Sequence, residues 1–174
     1  MRVLVIGPGG SGKSTLSRRL AAIFSLPLIN LDAEYWHSGW VETPPDQWAE
    51  RVDELIARDR WVMDGNYGGT MEARLKRAEM VVFMDLKRRV YLTSALWRSM
   101  RHHGQTRPDM SPGCPERFNW EFTRYLWRFK HHSRHRIVRR LDGFDGRLVV
   151  LKTRREANEW LRLSRLSTTP LRPR

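Results

Sequence analysis

Residues 7–14 read GPGGSGKS and directly follow the apolar run MRVLVI at 1–6. The pattern is Gly7-x-x-x-x-Gly12-Lys13-Ser14, flanked by a strand-like run before it and helical periodicity after it. Such a turn must aim several backbone N–H groups into one concavity, and glycines allow the chain to approach an anion closely. The following helix adds the partial positive charge of its N-terminus. The reading assigns phosphate contacts to Gly7, Gly9, Gly10, Ser11, Gly12 and Lys13, with Thr15 as an adjacent hydroxyl contact. Lys13 reaches toward the terminal phosphates, and the Ser14 hydroxyl is placed to ligate Mg²⁺. ATP and Mg²⁺ are therefore the expected ligands.

Outward from this loop, short apolar strands alternate with helices. Strands are expected at 2–7, at 26–32 ending on Asp32, at 60–67 stopping at Gly65, at 79–86 and at 147–152. Helices are expected from Lys13 to Phe24, from a Thr43 cap with Pro at the first position to about Asp59, over 70–78, over 87–103, from Glu116 to about Leu141, and from Arg154 to Arg165. The helix over 87–103 should carry Val90, Ser94, Trp97 and Arg101 along one stripe, and the one from Glu116 should carry Phe118, Phe122, Tyr125 and Phe129 on one face. Residues 104–115 hold two Gly and three Pro and read as a loop. The tail at 167–174 reads as disordered. The alternation implies one α/β domain over 1–174, a parallel sheet covered on both faces.

A metal-bound nucleotide also needs a carboxylate at the end of a neighbouring strand. Asp64 and Asp85 both end apolar runs. Asp64 is the better candidate because Gly65 allows a tight turn over the phosphates; Asp85 reads as a cap or edge contact. The guanine-reading string NKxD is absent. The chain is also too short for a helicase core, which leaves a small kinase or a small ATPase.

The 174 residues carry a net charge of +13. Residues 1–86 hold 10 Lys+Arg against 12 Asp+Glu, whereas 87–174 hold 22 against 7. The basic half favours polyanions. With Trp97, Trp120, Tyr125, Trp127 and Phe129 interleaved, it supports a second reading, a nucleic-acid-binding ATPase or regulator. No run approaches the ~18 apolar residues of a membrane span. The single cysteine, Cys114, rules out an internal disulfide and fits a reducing cytoplasm. His131 and His135 have a zinc-compatible spacing, but the cationic stretch around them opposes a dication.

Three strings, GPGGSGKS (7–14), DGNYGGT (64–70) and TRPDM with GCPERFNWEF (106–110 and 113–122), resemble the small phosphate-loop kinases often labelled DNA topology modulation proteins. Those are relatives of adenylate kinase and of shikimate- and gluconate-type kinases, and the resemblance spans about residues 1–165. It implies a P-loop NTPase three-layer sandwich, nucleotide-kinase-like, with a five-stranded parallel sheet of order 2-3-1-4-5. It also implies an acceptor-binding flap at about 33–60 and a helical lid at about 98–130. Asp64 matches the aspartate that orients Mg²⁺. The arginine that grips the acceptor phosphate in adenylate kinases is replaced here by Gly68, which weakens the case for AMP as acceptor.

A lid supplies arginines that neutralise charge on the moving phosphoryl group. Arg98, Arg107 and Arg124 are the favoured candidates among those flanking the loop; Arg117, Arg124 and Arg128 are spaced to share a helix face. The acceptor is expected beside Asp32, which can take a hydroxyl proton, with Tyr35, Trp36, Asn66 and Tyr67 around it. The expected activity is phosphoryl transfer from ATP to a nucleoside, a nucleotide or another small hydroxyl compound.

Overall fold

The computed structural model describes residues 1–168. Its elements are β1 (Arg2–Ile6), α1 (Lys13–Phe24), β2 (Leu28–Asn30), α2 (Leu31–Tyr35), β3 (Trp36–His37), β4 (Val41–Glu42) and α3 (Pro45–Ala57). Next come β5 (Trp61–Asp64), a 3₁₀ turn at Gly68–Thr70, α4 (Met71–Arg77), β6 (Met80–Met84) and α5 (Arg88–Arg101). The chain continues with α6 (Trp120–Phe129), α7 (Ser133–Leu141), β7 (Arg147–Leu151) and α8 (Arg154–Thr168). Ser167 and Thr168 thus belong to α8, and the rest of the expected disordered tail lies outside the described residues.

Five strands form one parallel sheet in the order β2-β5-β1-β6-β7. Counting only these strands, the order is 2-3-1-4-5, as expected. The central strands read as continuous apolar runs because helices cover both faces. Val3 to Ile6, Trp61 to Met63 and Val81 to Val82 are essentially inaccessible to water. At roughly 1.5–3 kcal/mol for each large side chain buried, these strands anchor the fold. Their carboxyl ends meet at one edge of the sheet, where the GPGGSGKS turn leaves β1. Open α/β sheets bind ligands at this edge.

Several local expectations are corrected. β2 stops at Asn30, and Asp32 lies in the first turn of the short helix α2. Thr43 does not cap α3: its hydroxyl donates to Tyr35 O at 2.6 Å, and Pro44 takes the cap position with Pro45 first in the helix. On α5 the buried residues are Tyr91 and Ala95, one position beyond Val90 and Ser94, because the Tyr91 hydroxyl is drawn inward to Leu126 O at 3.1 Å. Trp97 faces outward, 63% exposed.

The single helix expected over 116–141 is two helices. α6 buries Leu126 and Phe129, α7 buries Ile137 and Leu141, and the break at 130–132 lets each face reach the core. The start is displaced to Trp120 because Glu116 pairs its backbone with Gln105, while the Asn119 side chain caps the Phe122 N–H at 3.1 Å. Phe118 and Arg117 therefore precede the helix, and Arg117 does not share a helix face with Arg124 and Arg128. Asp85 is an edge contact: Arg134 grips it in bidentate fashion at 2.8 and 2.7 Å, fastening α7 to the end of β6. A two-stranded hairpin, β3–β4, was not foreseen.

Candidate active site

At the carboxyl edge of the sheet lies a cleft of about 920 Å³. Its floor is the turn between β1 and α1. Gly10 has φ of 81°, and a Cβ there would come to 2.2 Å from Tyr91 O, so only glycine fits where the turn passes against α5. The Asn66 side chain holds the start of the turn from both sides, accepting from Gly7 N–H at 3.0 Å and donating to Gly7 O at 2.8 Å. Gly9, Gly10, Gly12, Lys13, Ser14 and Thr15 line the cleft. Gly7 and Ser11 lie behind them, with Ser11 fully buried.

Lys13 donates to Pro8 O at 3.1 Å, which folds its side chain back over the turn. Burial lowers its pKa, opposed by Asp64 and Asp32, while Arg98 and Arg107 lower it further. Two carboxylates and two guanidinium groups thus act on one ammonium. Asp64 ends β5 only 6% exposed. Burial raises its pKa to about 6, against the opposing pull of Lys13 and of a hydrogen bond from Ser14. Among the described residues its Oδ1 has no hydrogen-bond partner, so a hard cation between Ser14 and Asp64 would complete this donor set.

The second wall comes from α2 and the hairpin. Asp32 accepts from the Tyr67 hydroxyl at 2.7 Å. Burial, and then Asp32, raise the Tyr67 pKa, which keeps the phenol protonated. Trp36, Trp40 and Glu42 line this end. Tyr35 does not: its ring packs behind, 5.1 Å from Trp36, 5.0 Å from Trp48 and 4.9 Å from Tyr67, and its hydroxyl donates to Glu42 at 3.0 Å. Tyr35 supports the wall and does not face the cleft.

Segment 102–119 closes the cleft from above. Arg98 and Arg107 line it, whereas Arg124 is exposed on α6 and does not. Burial and the neighbouring Arg107 lower the Arg98 pKa. Phe122, on α6, packs on the turn itself, so a Cβ at Gly9 would come to 2.6 Å from its Cζ. The segment is tied to the hairpin by Gly39 N–H to Gly113 O at 2.9 Å and Trp40 Nε1–H to Pro115 O at 3.1 Å, and to α2 by Ser111 Oγ–H to Ala33 O at 2.6 Å. The buried Cys114 thiol adds a bond to His37 O at 3.1 Å.

Several charged residues besides Glu42 escaped the sequence reading. Glu116, 6% exposed, accepts from Ser99 at 3.0 Å and pairs with Arg107 at 2.7 Å and Arg98 at 3.5 Å. Asp109 pairs with Arg107 at 2.8 Å. Arg154 lines the floor and donates to Ser94 Oγ at 2.6 Å. Arg18 lines it as well. The fully buried Arg74 donates to Gly65 O at 2.9 Å, to Asn66 O, and to Tyr67 O at 2.7 Å. Burial pushes its pKa down to about 9. The strings RPDM and GCPE contain Asp109 and Glu116, yet nothing local in them says that these acids face the arginines. Among the described residues no group of three or more His, Cys, Asp or Glu could hold a metal ion, and no helix is long and apolar enough to cross a membrane.

No family model and no curated protein matches the sequence. Solved structures do share its fold. A shikimate kinase from Aquifex aeolicus superposes with a TM-score of 0.55 at 17% identity, covering 96% of both chains. A shikimate kinase from Acinetobacter baumannii, in complex with shikimate, gives 0.57 at 19%, covering 98% of this chain and 95% of its own. A gluconokinase from Sinorhizobium meliloti gives 0.55 at 18%, with 96% and 90% covered. The chain therefore has the P-loop fold found in these small kinases.

Proposed function

We propose that the protein is an ATP-dependent phosphotransferase acting on a small hydroxyl compound. The observation that carries this is the single cleft in which the phosphate turn and Asp64 face Asp32 across the space closed by Arg98 and Arg107. The turn holds the nucleotide phosphates, with Lys13 on the terminal ones. Mg²⁺, held by Ser14 with Asp64, would supply charge neutralisation between the phosphates.

Asp32 takes the proton of the acceptor hydroxyl as its oxygen attacks the γ-phosphorus. The bond to the bridging oxygen breaks, and ADP leaves. Tyr67 orients the Asp32 carboxylate. Arg98 and Arg107 balance charge on the transferring group in a space from which segment 102–119 excludes water. This segment serves as the lid and the hairpin with α3 as the acceptor flap. Trp36 gives the acceptor a ring to pack on, and Asn66 acts by shaping the turn.

Lys13→Met tests the reading. It should abolish ATP-dependent phosphorylation of any acceptor the wild type uses and weaken ATP binding by roughly tenfold or more. Unchanged nucleotide binding, together with no transfer by the wild type across a broad acceptor panel, would sink it.

A second reading, binding of nucleic acid by the basic half, is favoured by one observation. Trp97, Trp120 and Trp127 are 59–68% exposed, and the Arg88 guanidinium lies 4.9 Å from the Trp127 ring centroid. Such rings can stack on bases. Phe129 is buried and Tyr125 lines the cleft, so neither contributes. Titration of single-stranded DNA at rising salt checks it, with a steep fall in affinity expected.

A further inference from the structure

We infer, resting on the phosphotransferase reading, that the acceptor is an uncharged hydroxylated ring carrying neither phosphate nor carboxylate. The chain as a whole is strongly cationic, but the acceptor end of the cleft is not. Four carboxylates stand there: Asp32, Glu42, Asp109 and Glu116.

Two of the three arginines at that end are held by carboxylates. Arg107 is held by Asp109 at 2.8 Å and by Glu116 at 2.7 Å, and Arg98 lies 3.5 Å from the same Glu116. What positive field remains to these two acts toward Lys13 and the transferring phosphoryl group. Arg117 stacks over Trp40, 5.8 Å from the ring centroid. Cations on the surrounding elements are engaged as well. Arg51 is bound to Glu34 at 2.7 Å and Glu54 at 2.8 Å, and Arg140 lies 3.6 Å from Glu72. Arg74 is spent on backbone carbonyls beneath the wall. With four carboxylates at that end against Arg98, Arg107 and Arg117, a phosphate or carboxylate on the acceptor would meet net negative charge.

What the wall does offer suits a neutral polyol. Trp36 and Tyr67 present ring surface, held rigid by Tyr35 and Trp48 behind them, with Tyr67 4.9 Å from each. Carboxylate oxygens of Asp32 and Glu42 accept hydrogen bonds from hydroxyl groups. The bonds between hairpin and lid close the acceptor end around a small molecule. Both a free sugar or cyclitol and the ribose of a nucleoside have this chemistry.

The test is ADP release and ³¹P NMR of products with MgATP and three acceptor sets. These are neutral rings (myo-inositol, ribose, glucose), nucleosides (adenosine, thymidine) and anions (shikimate, gluconate, AMP). We expect kcat/KM for a member of the first or second set to exceed every anion by about tenfold or more. The set that wins identifies the source of the ring. An anion used equally well or better overturns the inference and leaves the phosphotransferase reading standing. Transfer to none of the three sets, with ATP bound, removes both.

Asp109→Asn gives an independent check, since it removes one of the two carboxylates that hold Arg107. The ratio of gluconate to neutral-ring activity should rise about fivefold or more in this variant. A ratio unchanged in a variant with wild-type melting behaviour shows that the pairing of Arg107 does not set the acceptor class.

Discussion

The Tyr67 hydroxyl donates a 2.7 Å hydrogen bond to Asp32 Oδ1, joining two residues 35 positions apart on one wall of the cleft. Tyr67 adopts φ of 32°, unusual for a residue with a side chain, and its carbonyl is held by Arg74. The phenol is thus aimed from beneath. Tyr67→Phe removes a hydrogen bond to a charged group, worth about 1.5–3 kcal/mol. The expected outcome is a fall in acceptor kcat/KM of roughly tenfold to a hundredfold with KM for ATP unchanged. Steady-state kinetics with each substrate varied checks it.

Arg74 is a buried cation that, among the described residues, is held by backbone carbonyls. Its hydrogen bonds to Gly65, Asn66 and Tyr67 fasten the segment that follows Asp64 at the end of β5. Arg74→Met leaves buried carbonyls without donors, at about 1–3 kcal/mol for a lost buried partner. Arg74→Lys should not restore stability, because an ammonium lacks the planar fork that reaches three carbonyls. Denaturant melts of the two variants give the comparison.

Asp64 governs a pH dependence of stability in the ligand-free protein. Its folded pKa is about 6, above the ordinary 3.8, so the folded state holds the proton more tightly than the unfolded state. The ionised carboxylate therefore costs stability. The cost is absent below about pH 4, grows up to about pH 6 and is complete above it. Asp64→Asn should be more stable than wild type by about 1–3 kcal/mol near pH 7.5, and the difference should shrink toward pH 4.5. Thermal melts at the two pH values decide it.

Gly113 marks where segment 102–119 meets the β3–β4 hairpin. It has φ of 78°, and a Cβ there would lie 2.2 Å from Ser38 Oγ and 2.9 Å from Ser38 Cβ. Gly113→Val should loosen the contact, raise acceptor KM about threefold to tenfold and expose residues 104–115 to protease. Limited proteolysis followed by mass spectrometry reads the cleavage site.

Two parts of the molecule were legible in the linear sequence for different reasons. GPGGSGKS builds a site from consecutive backbone groups, so its chemistry is local. The alternating apolar runs gave the parallel sheet, because strands buried on both faces must be apolar throughout. Asp64 stood out because it follows such a run and precedes Gly65. The break at 130–132 was not legible, since the aromatic and basic periodicity runs through it without a Gly or Pro.

Residue type and spacing by themselves determined the glycine-rich turn after β1, the strand order's raw material and the presence of many arginines near a Pro- and Gly-rich loop. Only the tertiary structure decided which arginines face the cleft and what they already hold. Arg98 and Arg107 meet Glu116 inside it, while Arg124 turns outward on α6. Tyr67 meets Asp32, and Asn66 meets Gly7 59 residues away. The reason is physical. A backbone turn is specified by its own few residues, whereas the partner of a buried charge is whichever group the packing of distant elements brings within reach.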